Sequence, residues 1–421
     1  IVSCGLCCSY SISASVKGGI SFSVILCSFK LTNISHKTII ARSKTIFTVV
    51  LRVNYLYNID QIQYQQLIKF TMSETPHSPA SIATISELLA LSNSQYRIYD
   101  LGRKIDKLSK EEFSKIELNQ LPYPYPSQGH AFIAIAFWQK QNTQPFLWFV
   151  KLPLDERGLL NQGARDHFIA IIIDALGSDL TVDPTEKQEE LLKSNPYNFT
   201  PAQYKLASLN SKIKRELKQV SSEYLPLFQQ YIAGELGWDN WQNIAIQGIS
   251  DFAVHLDKAQ NTAALVAAFP HIVSEVLMPL CGALENETLP VTLIDAIIDA
   301  YHQTSTEQLQ IQQSLLRSLA SSCQHPHVIE FAKELLNNDK LSTDLLIILA
   351  GRCWLLWQSP DMLMLYLERL IQSKDNELFT AIFKDLVAIP VIRPNIFQCM
   401  RDPNRSNELA QAIGLLFNRA G

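Results

Sequence analysis

Glycine is scarce in this chain, at 15 of 421 residues. No G-x-x-x-x-G-K-S/T and no G-x-G-x-x-G occurs, so the loops that cradle a nucleotide's phosphates are missing. There is no G-x-S-x-G elbow and no H-E-x-x-H, which argues against common hydrolytic chemistry. A global excess of positive charge is missing as well: 36 Lys+Arg stand against 40 Asp+Glu, so nucleic acid is not the expected partner. With 47% hydrophobic and 18% charged residues, the chain is too apolar to remain disordered.

The first 71 residues lack methionine and tryptophan, and their only acid is Asp60. Against it stand Lys17, Lys30, Lys37, Arg42, Lys44, Arg52 and Lys69, for a net +6. The remaining 350 residues hold 29 basic and 39 acidic residues, net −10, and all six Trp. The longest largely apolar runs of the first segment, Val24–Cys27 and Ile46–Leu51, fall far below the roughly 18 residues that a membrane span needs. A transit peptide would share the acid-poor, Ser-rich composition but would be richer in Arg. The preferred expectation is that residues 1–71 are non-native upstream translation, disordered or poorly folded, with Met72 as the true start. The four cysteines after Met72, Cys281, Cys323, Cys353 and Cys399, are widely spaced and expected to be reduced and buried. That points to a cytoplasmic protein, with no export signal after Met72.

Residues 72–180 read as an α+β domain. Thr84 and Ser109, each with Glu three positions on, are capping-box starts of short helices. Gln95–Leu101 alternates as a strand, and Ala131–Trp138 with Phe146–Leu152 forms the clearest hairpin, joined by the polar connector Gln139–Pro145. A helix is expected over Ala164–Leu176, capped by Gly177. From 181 to 421 only helical patterns follow. Asp183-Pro184 and Thr200-Pro201 mark helix starts, and the second helix is expected to carry Leu206, Leu209, Ile213, Leu217 and Val220 on one face. Leu319-Ala-Ser-Ser-Cys323 recurs thirty residues later as Leu349-Ala-Gly-Arg-Cys353, each followed by a Pro-containing turn and a helix. This hints at a helix–turn–helix repeat of the α-solenoid kind.

Several residue groups are candidates for chemistry. Asp155, Glu156 and Arg157, with Arg165, Asp166 and His167, flank the end of the hairpin. They form a candidate polar pocket, with Arg for an anion and Asp166/His167 as a proton-transfer pair; helix capping and local salt bridges are the preferred explanation. The pairs Trp238/Trp241 and Trp354/Trp357 lie three apart, as on a helix, and are interface anchors if exposed and core if buried. Cys323, His325 and His327 lack the further ligands that zinc needs. Asp295, Asp299 and His302 share one helix face, read as solvated. Lys212, Lys214, Arg215 and Lys218 make a mildly basic helix and, at most, a weak RNA contact. Cys4-x-x-Cys7 lies outside any thioredoxin-like context. No catalytic residue, metal or cofactor is expected.

Ser94-Gln-Tyr-Arg-Ile-Tyr-Asp-Leu-Gly-Arg103, Tyr123-Pro-Tyr-Pro126 and Phe149-Val-Lys-Leu-Pro-Leu-Asp-Glu-Arg-Gly-Leu-Leu160 together resemble a gammaproteobacterial family catalogued as domain of unknown function 3549. The resemblance covers Met72 to Gly421. It implies a bacterial cytoplasmic setting and transfers no activity. The resulting expectation is a mostly α protein: a small N-terminal α+β domain with an antiparallel hairpin, then a HEAT/armadillo-type helical domain. Its expected function is that of a non-enzymatic adaptor for a protein partner, with a small-ligand binder or enzyme as the alternative. Mass spectrometry of the natural protein should find its first peptide at Met72 or Ser73; peptides from upstream would overturn that start.

Overall fold

The computed structural model describes residues 82–139, 144–177, 180 and 185–418, the side chains of 417 and 418 excepted. The 1–71 segment with Cys4 and Cys7, positions 140–143 of the hairpin connector and the Asp183-Pro184 helix start lie outside the described residues. The described residues form one compact unit. Among the described residues there are seventeen α-helices and one four-stranded sheet, and no helix is long and apolar enough to cross a membrane.

Both N-caps form, without the reciprocal Glu side-chain bond to the cap N–H that completes a capping box. Thr84 Oγ1 accepts from Glu87 N at 3.0 Å and opens α1 (Ile85–Leu91). Ser109 Oγ accepts from Glu112 N at 3.1 Å and opens α2 (Lys110–Glu117). The strands are β1 (Ser94–Asp100), β2 (Asp106–Leu108), β3 (His130–Gln139) and β4 (Phe146–Pro153). All pair antiparallel in the order β2-β1-β3-β4. α3 (Gln162–Leu176) follows and ends at Gly177, whose φ of 68° spares a side chain the left-handed conformation.

The sheet is a middle layer, because β1 and β3 are buried on both faces. Tyr96, Ile98, Ile133, Ile135, Phe137, Val150 and Leu152 pack with α1, α2 and α3. Tyr99, Ala134 and Ala136 pack on the other side against Leu209 and Ile213. Those last two belong to α5 (Gln203–Glu216), which follows α4 (Glu186–Lys193). Alanines on the α5 side let a helix approach the strands closely, while bulky side chains fill the thicker opposite layer.

α5 departs from expectation at both ends. It starts at Gln203 with Ala202 as N-cap, not at Thr200-Pro201. It stops at Glu216, because Lys218 takes φ 55° and Gln219 N and Lys218 N turn back to the Lys214 and Arg215 carbonyls at 2.8 and 3.1 Å. This is a Schellman-type end built on a lysine where glycine is usual. Val220 therefore leaves the apolar face and is 89% exposed.

The remaining helices are α6 (Leu225–Ile232), α7 (Ile246–Ala253), α8 (Ala259–Ala268), α9 (Ser274–Leu284), α10 (Val291–Gln303), α11 (Leu309–Ser318), α12 (Pro326–Asn337), α13 (Thr343–Arg352), α14 (Pro360–Ile371), α15 (Asn376–Ala388), α16 (Arg393–Arg401) and α17 (Asn407–Asn418). Each helix packs on the next but one. Helices α5, α7, α9, α11, α13 and α15 form one row, and α6, α8, α10, α12, α14 and α16 a second. One apolar core runs between the rows from Phe228 to Ile413.

From α9 the spacing becomes regular. First-row helices begin at residues 274, 309, 343 and 376, and second-row helices at 291, 326, 360 and 393, a unit of 33–35 residues. Pro290, Pro326, Pro360 and Pro394 stand at the second-row starts, where a missing N–H costs nothing. The thirty-residue match of Leu319–Cys323 to Leu349–Cys353 is out of register with this unit. Leu319 caps α11 while Leu349 lies inside α13, and the residue equivalent to Leu319 is Cys353, thirty-four on.

Two glycines in these helices test the packing with opposite signs. A Cβ on Gly248 would lie 2.5 Å from the Tyr224 carbonyl oxygen, whereas one on Gly351 meets nothing within 4 Å. Gly248→Ala should lower stability by about 1–3 kcal/mol through forced separation of α6 and α7. Gly351→Ala should raise it by about 0.5 kcal/mol through helix propensity. Denaturant melts of both variants check the pair; equal shifts would contradict the contact.

Candidate functional site

The six residues at the hairpin end divide among three local arrangements. Asp155 Oδ1 accepts from Arg157 N at 2.9 Å and Leu159 N at 2.8 Å, and its other oxygen meets Arg157 Nε at 3.3 Å. The Leu159 amide, ahead of the Arg157 contacts, holds that carboxyl below its usual range. Glu156 is exposed. Arg165 turns inward and is 5% exposed. It donates to the Glu117 carbonyl and, at 2.6 Å, to Asp166 Oδ1. Asn161, the N-cap of α3, sets this direction by fixing the helix start. His167 Nδ1 lies 3.2 Å from the Tyr197 hydroxyl. Among the described residues, no hydrogen bond or ion pair joins the Asp155–Arg157 turn to Arg165, Asp166 or His167.

The other groups are placed as follows. Two polar sets noted separately in the sequence meet across α10 and α12: His327 Nδ1 lies 2.6 Å from Asp295 Oδ1, and His302 Nε2 lies 3.7 Å from Glu334. His325 caps α12 by accepting from His327 N, and Cys323 is buried. Among the described residues no three His, Cys, Asp or Glu side chains are grouped to hold a metal. On α5, Lys212 pairs with Glu287 at 2.7 Å and Arg215 with Asp257 at 3.2 Å.

The tryptophan pairs differ from a helical display. Trp238 and Trp241 lie in the irregular connection between α6 and α7, both half-buried. Trp238 stacks on His271 with ring centroids 5.3 Å apart. Trp354 and Trp357 belong to a 3-10 turn after α13 and are 1% and 0% exposed. Burial rules these two out as surface anchors. Trp357 stacks on Tyr366 at 4.3 Å; Trp354 has a different task.

That task is at the β1–β2 loop, Leu101–Asp106, which lies across the first row of helices. Lys205 Nζ on α5 donates to the Leu101 and Gly102 carbonyls. Arg352 on α13 donates to the Arg103 carbonyl. Asn286, just beyond α9, accepts from Ile105 N at 2.8 Å. Arg103 Nη2 meets Asp385 of α15 at 2.9 Å, and its Nε donates to the Pro126 carbonyl. Lys104 Nζ reaches Ser321 Oγ at 3.2 Å. Both cations stand over the Trp354 ring, each 5.6 Å from its centroid. Tyr125 closes the ring's edge at 6.2 Å. A Cβ on Gly102 would lie 3.2 Å from Asp100 Oδ1 and Ser127 Cβ, a tight contact to which those neighbours would have to give way. A cavity of about 520 Å3, lined in part by Tyr99, Lys104, Asp106, Lys212 and Glu287, opens beside the loop.

Sequence reading missed this site. Its one local signal is the Gly-Arg-Lys run directly after a strand; Arg103 and Asp385 are 282 positions apart.

Two ionisable groups sit beneath the loop. Asp100 is fully buried and accepts from Tyr123 Oη at 2.6 Å. Burial pushes its carboxyl up to about 7, although Tyr123, the Gly102 and Arg103 amides and the Lys205 charge all pull the other way. Burial, with Arg352 nearby, brings Lys205 down to about 8. Next to them Glu285, also fully buried, binds Arg317 through both oxygens.

The pH consequence has a definite sign. A carboxyl whose folded value lies above its unfolded one contributes its full stability below about pH 4. That contribution is lost as pH rises through the folded value of about 7. Asp100→Asn has no such loss. The melting temperature of the variant minus that of the natural chain should therefore climb from about pH 4 to about 7 and level off above. A difference independent of pH would refute the assignment.

No curated protein and no solved structure matches the chain. The model of one family, a protein of unknown function (DUF3549), matches residues 80–417. That span takes in the sheet, the helix rows and the loop seat together, and the chain belongs to the DUF3549 family.

Proposed function

We propose that the protein is a non-enzymatic interaction scaffold, an α-solenoid whose helix rows present a binding surface to a protein partner. The observation that carries this reading is the next-but-one packing of α5 to α16 in two rows. Stacked helix pairs of that kind create extended surfaces suited to peptides and proteins. The unit of 33–35 residues is shorter than the roughly 40–47 of HEAT and armadillo repeats, so the array is a more compact variant of that expected type. The four described cysteines are free and buried, which fits a reducing bacterial cytoplasm.

The ligand or enzyme alternative at residues 155–167 has less support. Asp155, Arg157, Arg165 and Asp166 already satisfy one another or neighbouring backbone. RNA binding through α5 is weakened by the Lys212 and Arg215 ion pairs.

Large apolar side chains exposed on the rows mark where a partner would rest: Met278 on α9, Ile347 on α13 and Phe397 on α16, at 36%, 43% and 44%. A photo-crosslinking amino acid placed at each position should give a light-dependent adduct with one recurring protein in the native host. No adduct at any position, together with a small molecule retained by the purified chain in native mass spectrometry, would favour the ligand reading instead.

A further inference from the structure

We propose that the cavity beside the Leu101–Asp106 loop is a binding site for a small, neutral, hydroxyl-rich molecule of monosaccharide or disaccharide size. Its volume of about 520 Å3 falls within the roughly 300–1,000 Å3 of small-molecule sites. The walls come from β1, β2 and the turn between them, from the end of α5, and from residues 286–288 just beyond α9. Small-molecule sites are mostly apolar. Charged and polar side chains dominate this lining, so the molecule it takes is itself polar.

The charges decide which kind of polar molecule. Among the described residues of the lining, every basic side chain already has a carboxylate. Lys104 pairs with Asp106 at 3.4 Å, Lys107 with Glu216, Lys212 with Glu287 at 2.7 Å, and Arg215 with Asp257 at 3.2 Å. An incoming ion has to break one of these pairs. Lys104 and Glu287 are 8% and 12% exposed in their side chains, and a charge so little hydrated is costly to leave alone. A hydroxyl avoids that cost, because it accepts from the ammonium and donates to the carboxylate of an intact pair. The pairs have capacity for it. Lys104 Nζ carries three N–H groups and has two polar partners, Ser321 and Asp106. Lys212 Nζ likewise has the Asn286 carbonyl and Glu287.

Tyr99 adds a neutral donor. It lines the cavity, is 1% exposed, and its hydroxyl has no hydrogen-bond partner. Burial, with the Glu216 charge nearby, pushes the phenol above its usual range, so the group keeps its proton. Buried hydroxyls in folded proteins have partners as a rule, and an oxygen of the bound molecule supplies the one that is missing here.

The test uses the full chain and saturation-transfer NMR with millimolar probes. D-glucose, trehalose and myo-inositol represent the neutral class, citrate the anions and spermidine the cations. At least one of the three neutral probes should receive saturation, and citrate and spermidine should not. Tyr99→Phe should weaken that binding by about five- to tenfold. It should leave the melting temperature of the empty chain no lower, because the hydroxyl has no partner to lose. Absence of transfer to all three neutral probes overturns the proposal, as does stronger transfer to citrate or spermidine, or equal binding by the Tyr99→Phe chain. Should that variant fail to fold, Thr288→Trp at the exposed rim of the cavity decides. It should block the site, and a neutral probe that still binds it with undiminished affinity overturns the proposal.

Discussion

A charge taken out of water must be answered by the protein itself, and the arrangement of this molecule turns on how that is done around the Leu101–Asp106 loop. Asp100, Arg103, Lys104, Lys205 and Glu285 are all less than a tenth exposed. An uncompensated buried charge costs several kcal/mol, so each position here has a fixed partner. Arg103 has Asp385, Lys205 has two carbonyls, and Glu285 has Arg317. Lys205 on α5 and Asp385 on α15 stand at opposite ends of the first row. The loop turns between β1 and β2 and bonds to side chains from α5 to α15 of the first row.

The sheet stands between two environments for a related reason. β3 has no polar face, so the strand is stable only with a layer on each side. α1, α2 and α3 cover one side, and Glu117 ties them together. Its buried carboxylate accepts from Ile85 N and Ser86 N of α1, and its carbonyl takes Arg165 of α3. The other side is covered by α5, the first helix of the array. The Arg165 that sequence logic assigns to an anion pocket is thus a brace between three helices.

Much of the local structure was legible in the residues. Thr84, Ser109 and Gly177 act as caps because their effects depend on groups within four positions of them. The β3–β4 hairpin was visible in its apolar, β-branched and aromatic runs. The end of α5 was hidden, because nothing in Lys218 itself announces a left-handed conformation. The thirty-residue sequence match did not follow the 33–35-residue spacing of the helices. Small residues and cysteine recur at any tight helix contact, so Cys323 and Cys353 matched in sequence while occupying different places in the unit. The prolines at 290, 326, 360 and 394 were the better marker, because they report a backbone requirement of the helix start. The Trp pairs show the limit of spacing as evidence. Trp238 and Trp241 lie in a loop and Trp354 and Trp357 in a 3-10 turn, although both pairs are three apart.

The sequence by itself determined the mostly helical character, the four-cysteine apolar chemistry after Met72 and the missing phosphate and hydrolase motifs, since these follow from composition and short-range periodicity. Only the tertiary structure decided which polar residues meet. Asp155 and Arg157 close on each other, His327 finds Asp295 on another helix, and a Gly-Arg-Lys turn with no motif of its own gains partners from several helices. The physical reason is distance along the chain. A cap or a hairpin is settled by neighbours, but the seat of the loop brings together residues from 101 to 385, and it comes into being when the two rows of helices stack.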